Sequence, residues 1–244
     1  KANGYASNSG NIDDLARFGF NEVDSSTVIR SDLVSTNALT ASHDININDV
    51  QVGSSDSSSA AAKAIAINAV SSSSNVTASG HNLVTLDLNF SEASSAASNI
   101  KINGNAINFS SVTNNTETIA AINNASIGDI IASSNSSGEV ELTSASGVDI
   151  AIEHSGTPGV FFDGHTDVTG ATVSVGSSVT FKGQILLTHT AGDVIKISGN
   201  NVDELGFQAQ ASSSASTPGS IISVSSSSNA TSALTTIDTA IDTI

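Results

Sequence analysis

One pattern in this chain returns fifty-five residues after it first occurs, and its register restricts the folds open to it. Residues 45–52 read Ile-Asn-Ile-Asn-Asp-Val-Gln-Val, and residues 100–107 read Ile-Lys-Ile-Asn-Gly-Asn-Ala-Ile. In the first, Ile45, Ile47, Val50 and Val52 flank Asn48-Asp49; in the second, Ile100, Ile102 and Ile107 flank Asn103-Gly104. Alternating apolar residues around such a pair predict a β-hairpin, because Asn, Asp and Gly tolerate the positive φ of a type I′ turn. The offset persists: Ala66-Ile67-Asn68 falls on Ala121-Ile122-Asn123, and Val76 falls on Ile131. Ahead of each Ala-Ile-Asn lies a helix-like stretch, about Ser57–Ser71 and about Thr116–Asn124. Ala60, Ala64, Ile67 and Val70 or Ser71 share a face of the first, and Ile119 and Ile122 a face of the second. Ser or Thr at the start can accept a free amide hydrogen of the first turn.

Strand-like runs follow each helix. They are Val76–Ala78 and Leu83–Phe90 after the first, then Ile130–Ser133, Val140–Leu142 and Val148–Ile152 after the second. A partial third copy is read from Leu142-Thr143, Gly147, Ile150 and Ile152, which match Leu187-Thr188, Gly192, Ile195 and Ile197 forty-five residues on. Disordered low-complexity sequence would not keep that register. The expected fold is a β-rich α+β arrangement of repeated hairpin–helix–strand units, forming two or three small domains with a C-terminal helix segment. The expected division is a connecting segment at 1–32, a first unit at 33–97, a second at 98–160, a third partial β unit with linker at 161–225, and the start of a helix at 226–244. Residues 45–78 and 100–133 are expected to share one topology.

Composition sets how such units are held together. Hydrophobic residues are 38% but aromatics only 4%, so cores rest on Ile, Val, Leu, Ala and eight Phe. Burying Ile65, Ile67 and Val70 is expected to contribute roughly 1.5–3 kcal/mol each. Ordering each backbone residue costs roughly 1–2 kcal/mol. A unit this small without a disulfide sits near the lower limit for folding alone, so each should lean on a neighbour.

The net charge is −16, and the seven Lys and Arg are scattered. Binding phosphate backbones requires clustered cations, so neither nucleic acid nor a membrane surface is an expected partner. Absence of cysteine removes disulfides, thiol nucleophiles and thiolate metal sites. No apolar run reaches the length of a membrane-spanning helix. Lys1-Ala2-Asn3-Gly4 begins no signal peptide, and the chain reads as a fragment or processed form.

Side chains capable of metal binding are densest at Glu153-His154 and at Asp163-Gly164-His165-Thr166-Asp167. Carboxylates and imidazole bind a divalent ion where they converge; the competing reading is a solvated turn, which Asp-Gly favours on its own. The turn reading is preferred, so no metal is expected, the candidates for one being Asp163, His165 and Asp167. His43, His81 and His189 stand singly, and neither a Gly-x-Ser-x-Gly elbow nor a His-Glu-x-x-His pair is present. No catalytic residue, no cofactor and no enzymatic activity are expected.

Near the end, Leu234, Ile237, Ile241 and Ile244 are spaced three, four and three apart, with Asp238 and Asp242 on the wetter side. That is a coiled-coil-like seam. A lone helix of this length is marginal in water, so the seam calls for partner helices. Asn11–Phe18 could form one capped turn of helix.

These residues resemble a known family. Ala233-Leu234-Thr235-Thr236-Ile237-Asp238-Thr239-Ala240-Ile241-Asp242-Thr243-Ile244 looks like the start of the C-terminal helix of bacterial flagellins. Residues 45–78 resemble the flagellin IN motif at Ile47-Asn48, Ala66-Ile67-Asn68 and Val76-Thr77-Ala78, residues 100–152 a second copy, and Leu187 to Leu205-Gly206-Phe207 its tail. The resemblance implies a structural subunit of the extracellular flagellar filament in cell motility. It further implies a homopolymer with other flagellin subunits and export of the intact chain by the flagellar secretion machinery with a chaperone. In that family the terminal helices form the filament core, and the middle domains decorate its surface. The resemblance therefore implies that residues near Arg17–Phe20 and Thr231–Ile244 lie together. Two alternatives stand beside it: a hook-associated or filament-cap protein, and a surface adhesin or glycan-binding module within a flagellar protein.

Overall fold

The computed structural model describes residues 22–25, 28–90, 100–109, 111–154, 162–170, 172–173, 178–191 and 194–208. Strands β1 (Glu22–Ser25) and β2 (Val28–Arg30) pair antiparallel ahead of the first hairpin, β3 (Asn46–Ile47) and β4 (Val50–Gln51). Asn48 and Asp49 turn that hairpin at φ 48° and 62°. Both central residues are left-handed, as a type I′ turn requires.

Helix α1 (Ala60–Asn68) starts at Ser59, whose hydroxyl accepts the Ala62 amide hydrogen at 3.2 Å. Its face of Ala60, Ala64 and Ile67 is buried as expected, but Ile65 is 67% exposed. Ile65 stands two positions from Ile67, roughly 200° around the helix, and so contributes no core burial. The short helix α2 (Ser71–Ser74) ends on Asn75 at φ 55°, and β5 (Val76–Leu88) begins at once.

A second hairpin, β6 (Ile100–Ile102) and β7 (Asn105–Ile107), is turned by Asn103 and Gly104 at φ 48° and 77° and is likewise followed by a helix and strands, without a second short helix between them. Helix α3 (Asn115–Asn124) is capped by Asn114 rather than by Ser or Thr, with the same acceptor chemistry toward the Glu117 amide at 3.0 Å. The Glu117 carboxylate accepts the Thr113 amide hydrogen at 2.7 Å, one residue ahead of the cap, and so ties down the chain entering the helix. Strands β8 (Ile130–Ser134), β9 (Val140–Ser144) and β10 (Ile150–His154) complete the run, followed by β11 (Phe162–Thr166), β12 (Thr172–Val173), β13 (Ser178–Phe181), β14 (Gln184–His189) and β15 (Ile197–Ser198).

Equivalent asparagines make equivalent bonds in the two stretches. Asn68 exchanges two hydrogen bonds with the backbone of Ala78, at 2.8 and 2.7 Å, and Asn123 does the same with Ala132, at 2.9 and 2.8 Å. In the hairpin turns, Asn48 accepts the Lys196 amide hydrogen at 2.8 Å and Asn103 that of Ala151 at 2.6 Å. The helix-to-strand turn of the second stretch is one residue shorter, so Val76 corresponds to Ile130 rather than to Ile131. Both Val76 and Ile130 are buried, whereas Ile131 is 62% exposed.

The molecule is β-rich, with antiparallel sheets and few helices. The largest sheet runs β1-β2-β14-β5-β11-β12, with β9 paired to β5 and β8 to β9; the others run β13-β10-β6-β7 and β15-β3-β4. Where two strands were expected at Val76–Ala78 and Leu83–Phe90, β5 is one strand of 13 residues. Its first half pairs with β14, from His81 opposite Gln184 to Val76 opposite His189. Its second half pairs with β9, from Asn82 opposite Ser144 to Leu86 opposite Val140. The interval Ser79–Asn82 reads as a break because it is polar and holds a glycine, yet Asn82 is bonded to Val148 and Phe181 and Gly80 admits a close backbone approach.

Two hydrophobic cores lie along β5. One takes Val34, Ile47, Ile67 and Val76 from the first part of the chain and Ile185, Leu187, Ile197 and Phe207 from the last. The other is built from Val84 through Ile122, Leu142 and Ile152 to Phe181. The division at 161–225 expected from sequence is therefore not the one the cores follow. Phe181 belongs to the second core and residues 185–207 to the first, because β14 pairs with β5 and β15 with β3. Residues Asn11–Phe18 and Arg17–Phe20, and the tail with Leu234, Ile237, Ile241 and Ile244, lie outside the described residues.

Candidate functional site

The sequence drew attention to β11, and the chain there is turned to packing and to a local turn. His165 is buried, with its ring edge-on to Phe181 at a centroid distance of 5.4 Å. Asp167 accepts from the Thr169 amide at 2.9 Å and the Thr169 hydroxyl at 2.7 Å, an Asx-type turn. The side chain of Asp163 lies outside the described ones. Among the described residues no group of three or more His, Cys, Asp or Glu is placed to hold a metal ion. His43 accepts from the Thr40 amide and His189 from the Ala191 amide. His81 stands on β5 opposite Gln184, and burial, followed by the charge of Arg30, lowers its pKa. Five residues of strand separate the His81 and His189 levels, roughly 16 Å, so these rings do not converge.

Two other places concentrate polar chemistry. The first is where the incoming segment after β2 meets the 3-10 turn Val202–Leu205. Ser31 donates its amide hydrogen to Ile185 at 2.8 Å, Asp32 to Gly206 at 2.8 Å and Val34 to Gly183 at 3.0 Å. Incoming and outgoing chain are thus stitched side by side. Lys63 on α1 is fully buried beneath them. Its ammonium donates to the Glu204 carbonyl at 2.6 Å and to the Ser35 carbonyl and hydroxyl, each at 3.1 Å. Burial is the largest influence on Lys63 and lowers its pKa to about 8; Glu204, Asp149 and Asp203 oppose this and Lys182 adds to it. The Glu204 carboxylate accepts from the Ser35 hydroxyl and from Asn37 at 3.2 Å. Burial works against its charge, yet those bonds with the charges of Lys63 and His43 hold its pKa below the usual carboxylate range.

The second place joins the two cores. The Ala61 amide at the start of α1 donates to the Gly147 carbonyl at 3.0 Å. Gly147 has φ 83°, and a Cβ there would lie 2.6 Å from the His81 nitrogen; at Gly183 one would lie 2.5 Å from the His81 oxygen, and at Gly80 one would overlap the Ser146 carbonyl. Only glycine allows backbones to approach so closely. Asn82 donates to Val148 at 3.0 Å and to Phe181 at 2.9 Å. Lys182 bridges Asp149 and Ser58, each at 2.7 Å.

Neither place was marked in the sequence reading. The signals were present: a lysine at the apolar spacing of α1, and glycine with asparagine inside a strand. The arrangement offers mechanical joining, with Ser35, Lys63 and Glu204 held by hydrogen bonds to one another and to the backbone. No helix among the described residues is long and apolar enough to cross a membrane. Comparison of the sequence with protein-family models gives no match, and comparison with curated proteins gives none.

Proposed function

We propose that this chain is a non-catalytic structural subunit of a bacterial flagellar filament, its described body being the outward-facing, flagellin IN-type middle domains. The observation that supports this most is the stitched pair of segments at Asp32 and Gly206. A body whose incoming and outgoing chain lie side by side suits an insertion that projects from a supporting wall. The equivalent asparagine bonds in the two hairpin–helix–strand stretches favour two copies of one repeat unit, the second set within the first. On this reading the tail seam of Leu234, Ile237, Ile241 and Ile244 packs with helices of neighbouring subunits in an extracellular homopolymer.

Antibodies raised against residues 31–208 should label isolated flagella evenly along the filament when viewed by electron microscopy. Label confined to the hook junction or the tip would move the assignment to the hook-associated or cap alternative. Label on the cell surface and none on flagella would overturn the proposal in favour of an adhesin.

A further inference from the structure

We infer that the second core folds first and acts as the template on which the first core closes, so that the first does not persist without it. This rests on the nesting of the two cores and holds whatever the cellular role.

The buried residues of the second core come from one continuous stretch, Val84 to Phe181. Those of the first come from Val34–Val76 and from Ile185–Phe207, on either side of that stretch. Without the second core, β14 meets β5 only when the ends of a loop of about 100 residues come together. That probability falls roughly as the −3/2 power of loop length, about a thousandfold at this length. With the second core formed, the search is already over. Asn82, the first β5 residue to pair with β9, donates its carboxamide to Phe181, the last residue of β13. Lys182 adds its ion pair to Asp149. His81 and Gln184 then stand in register, and the strands pair outward from them to Val76 and His189.

The converse fails. Asn82 and Lys182 flank the second core's stretch at its two ends, and their clips to Val148, Phe181 and Asp149 need nothing from the first core. Opening the first core removes from the second the Ala61–Gly147 bond, the Lys182–Ser58 bond and the packing around Gly147.

The test is hydrogen exchange on the full chain with paired core variants. Leu187→Asp should remove protection from α1 and β14 while α3, β8 and β9 stay protected. Leu142→Asp should remove protection from both sets. Protection surviving in α1 and β14 of Leu142→Asp, or lost from α3 in Leu187→Asp, overturns the inference. Mild variants give an independent reading in a chain that still folds. The second core opens only after the first, so weakening the first adds to the opening of both. Ile185→Val should therefore speed exchange roughly twofold to tenfold in both sets, and Ile150→Val in the second set alone. The reverse pattern, or equal effects from both variants, would also overturn it.

Discussion

Lys63 gives the residue scale its clearest physics. A fully buried ammonium is tolerated because the Glu204 carbonyl and two Ser35 oxygens accept its hydrogen bonds, yet burial still lowers its pKa from 10.5 to about 8. Between those values the unfolded chain holds the proton and the folded chain releases it. The unfolded state then binds more protons, and stability rises with pH across that window. Below about 8 both states are charged and the burden of burying the charge is felt in full. Denaturant midpoints should therefore climb from about pH 8 toward 10.5 in the native sequence. The same titration of Lys63→Met should lack that increment, and an identical climb in the variant would remove Lys63 as its source.

At the scale of elements, β5 couples everything else. Its continuity depends on Gly80, where a methyl group would run into the Ser146 carbonyl and the backbone of Ala60. Gly80→Ala should destabilise by roughly 1–3 kcal/mol, as overpacking does. Gly53→Ala, with nothing within 4 Å and no left-handed φ, should be neutral or stabilising by a few tenths of a kcal/mol. Urea unfolding of both variants checks this, and equal effects would refute the close-approach account. The contrast also shows what the sequence could reveal. The hairpins at Asn48-Asp49 and Asn103-Gly104 are legible because turn chemistry is local. The join of Val76–Ala78 to Leu83–Leu88 is not, because Ser79, Gly80 and Asn82 look like a break until the loop at Ser146–Val148 lies over them. The apolar spacing of Lys63 is visible in the sequence, but its partners are not. Nothing in an alanine-rich helix announces which carbonyls will face Lys63.

For the whole molecule, the residues that match at an offset of forty-five, Leu142 and Leu187 among them, lie on strands with different partners. Leu142 sits opposite Ala132 in β9–β8, and Leu187 opposite Ala78 in β14–β5. Between β8 and β9 stands the short turn Asn135–Glu139, closed by the Asn135 side chain on the Ser137 and Glu139 amides, each at 2.9 Å. Between β5 and β14 stands the entire second core. Sequence order alone reads such nesting as a third copy, since a strand's partner is not written beside it. The exposed turn should accept added chain for the same reason. Ten Gly and Ser residues inserted between Ser136 and Ser137 should cost roughly 1–2 kcal/mol. The same insert between Asn103 and Gly104 should cost more, because it disrupts the turn whose Asn103 holds Asp149 and Ala151. Thermal melts of the two insertions decide, and equal losses would count against the anchoring role given to Asn103.

The backbone bond from Asp32 to Gly206, 2.8 Å long, has a consequence for exchange between lineages. Val28–Arg30, outside the span from Leu33 to Leu205, also pairs with Leu186–Thr188 inside it. A span exchanged for this one would have to bring a strand that fits β2 as well as ends that meet at Asp32 and Gly206.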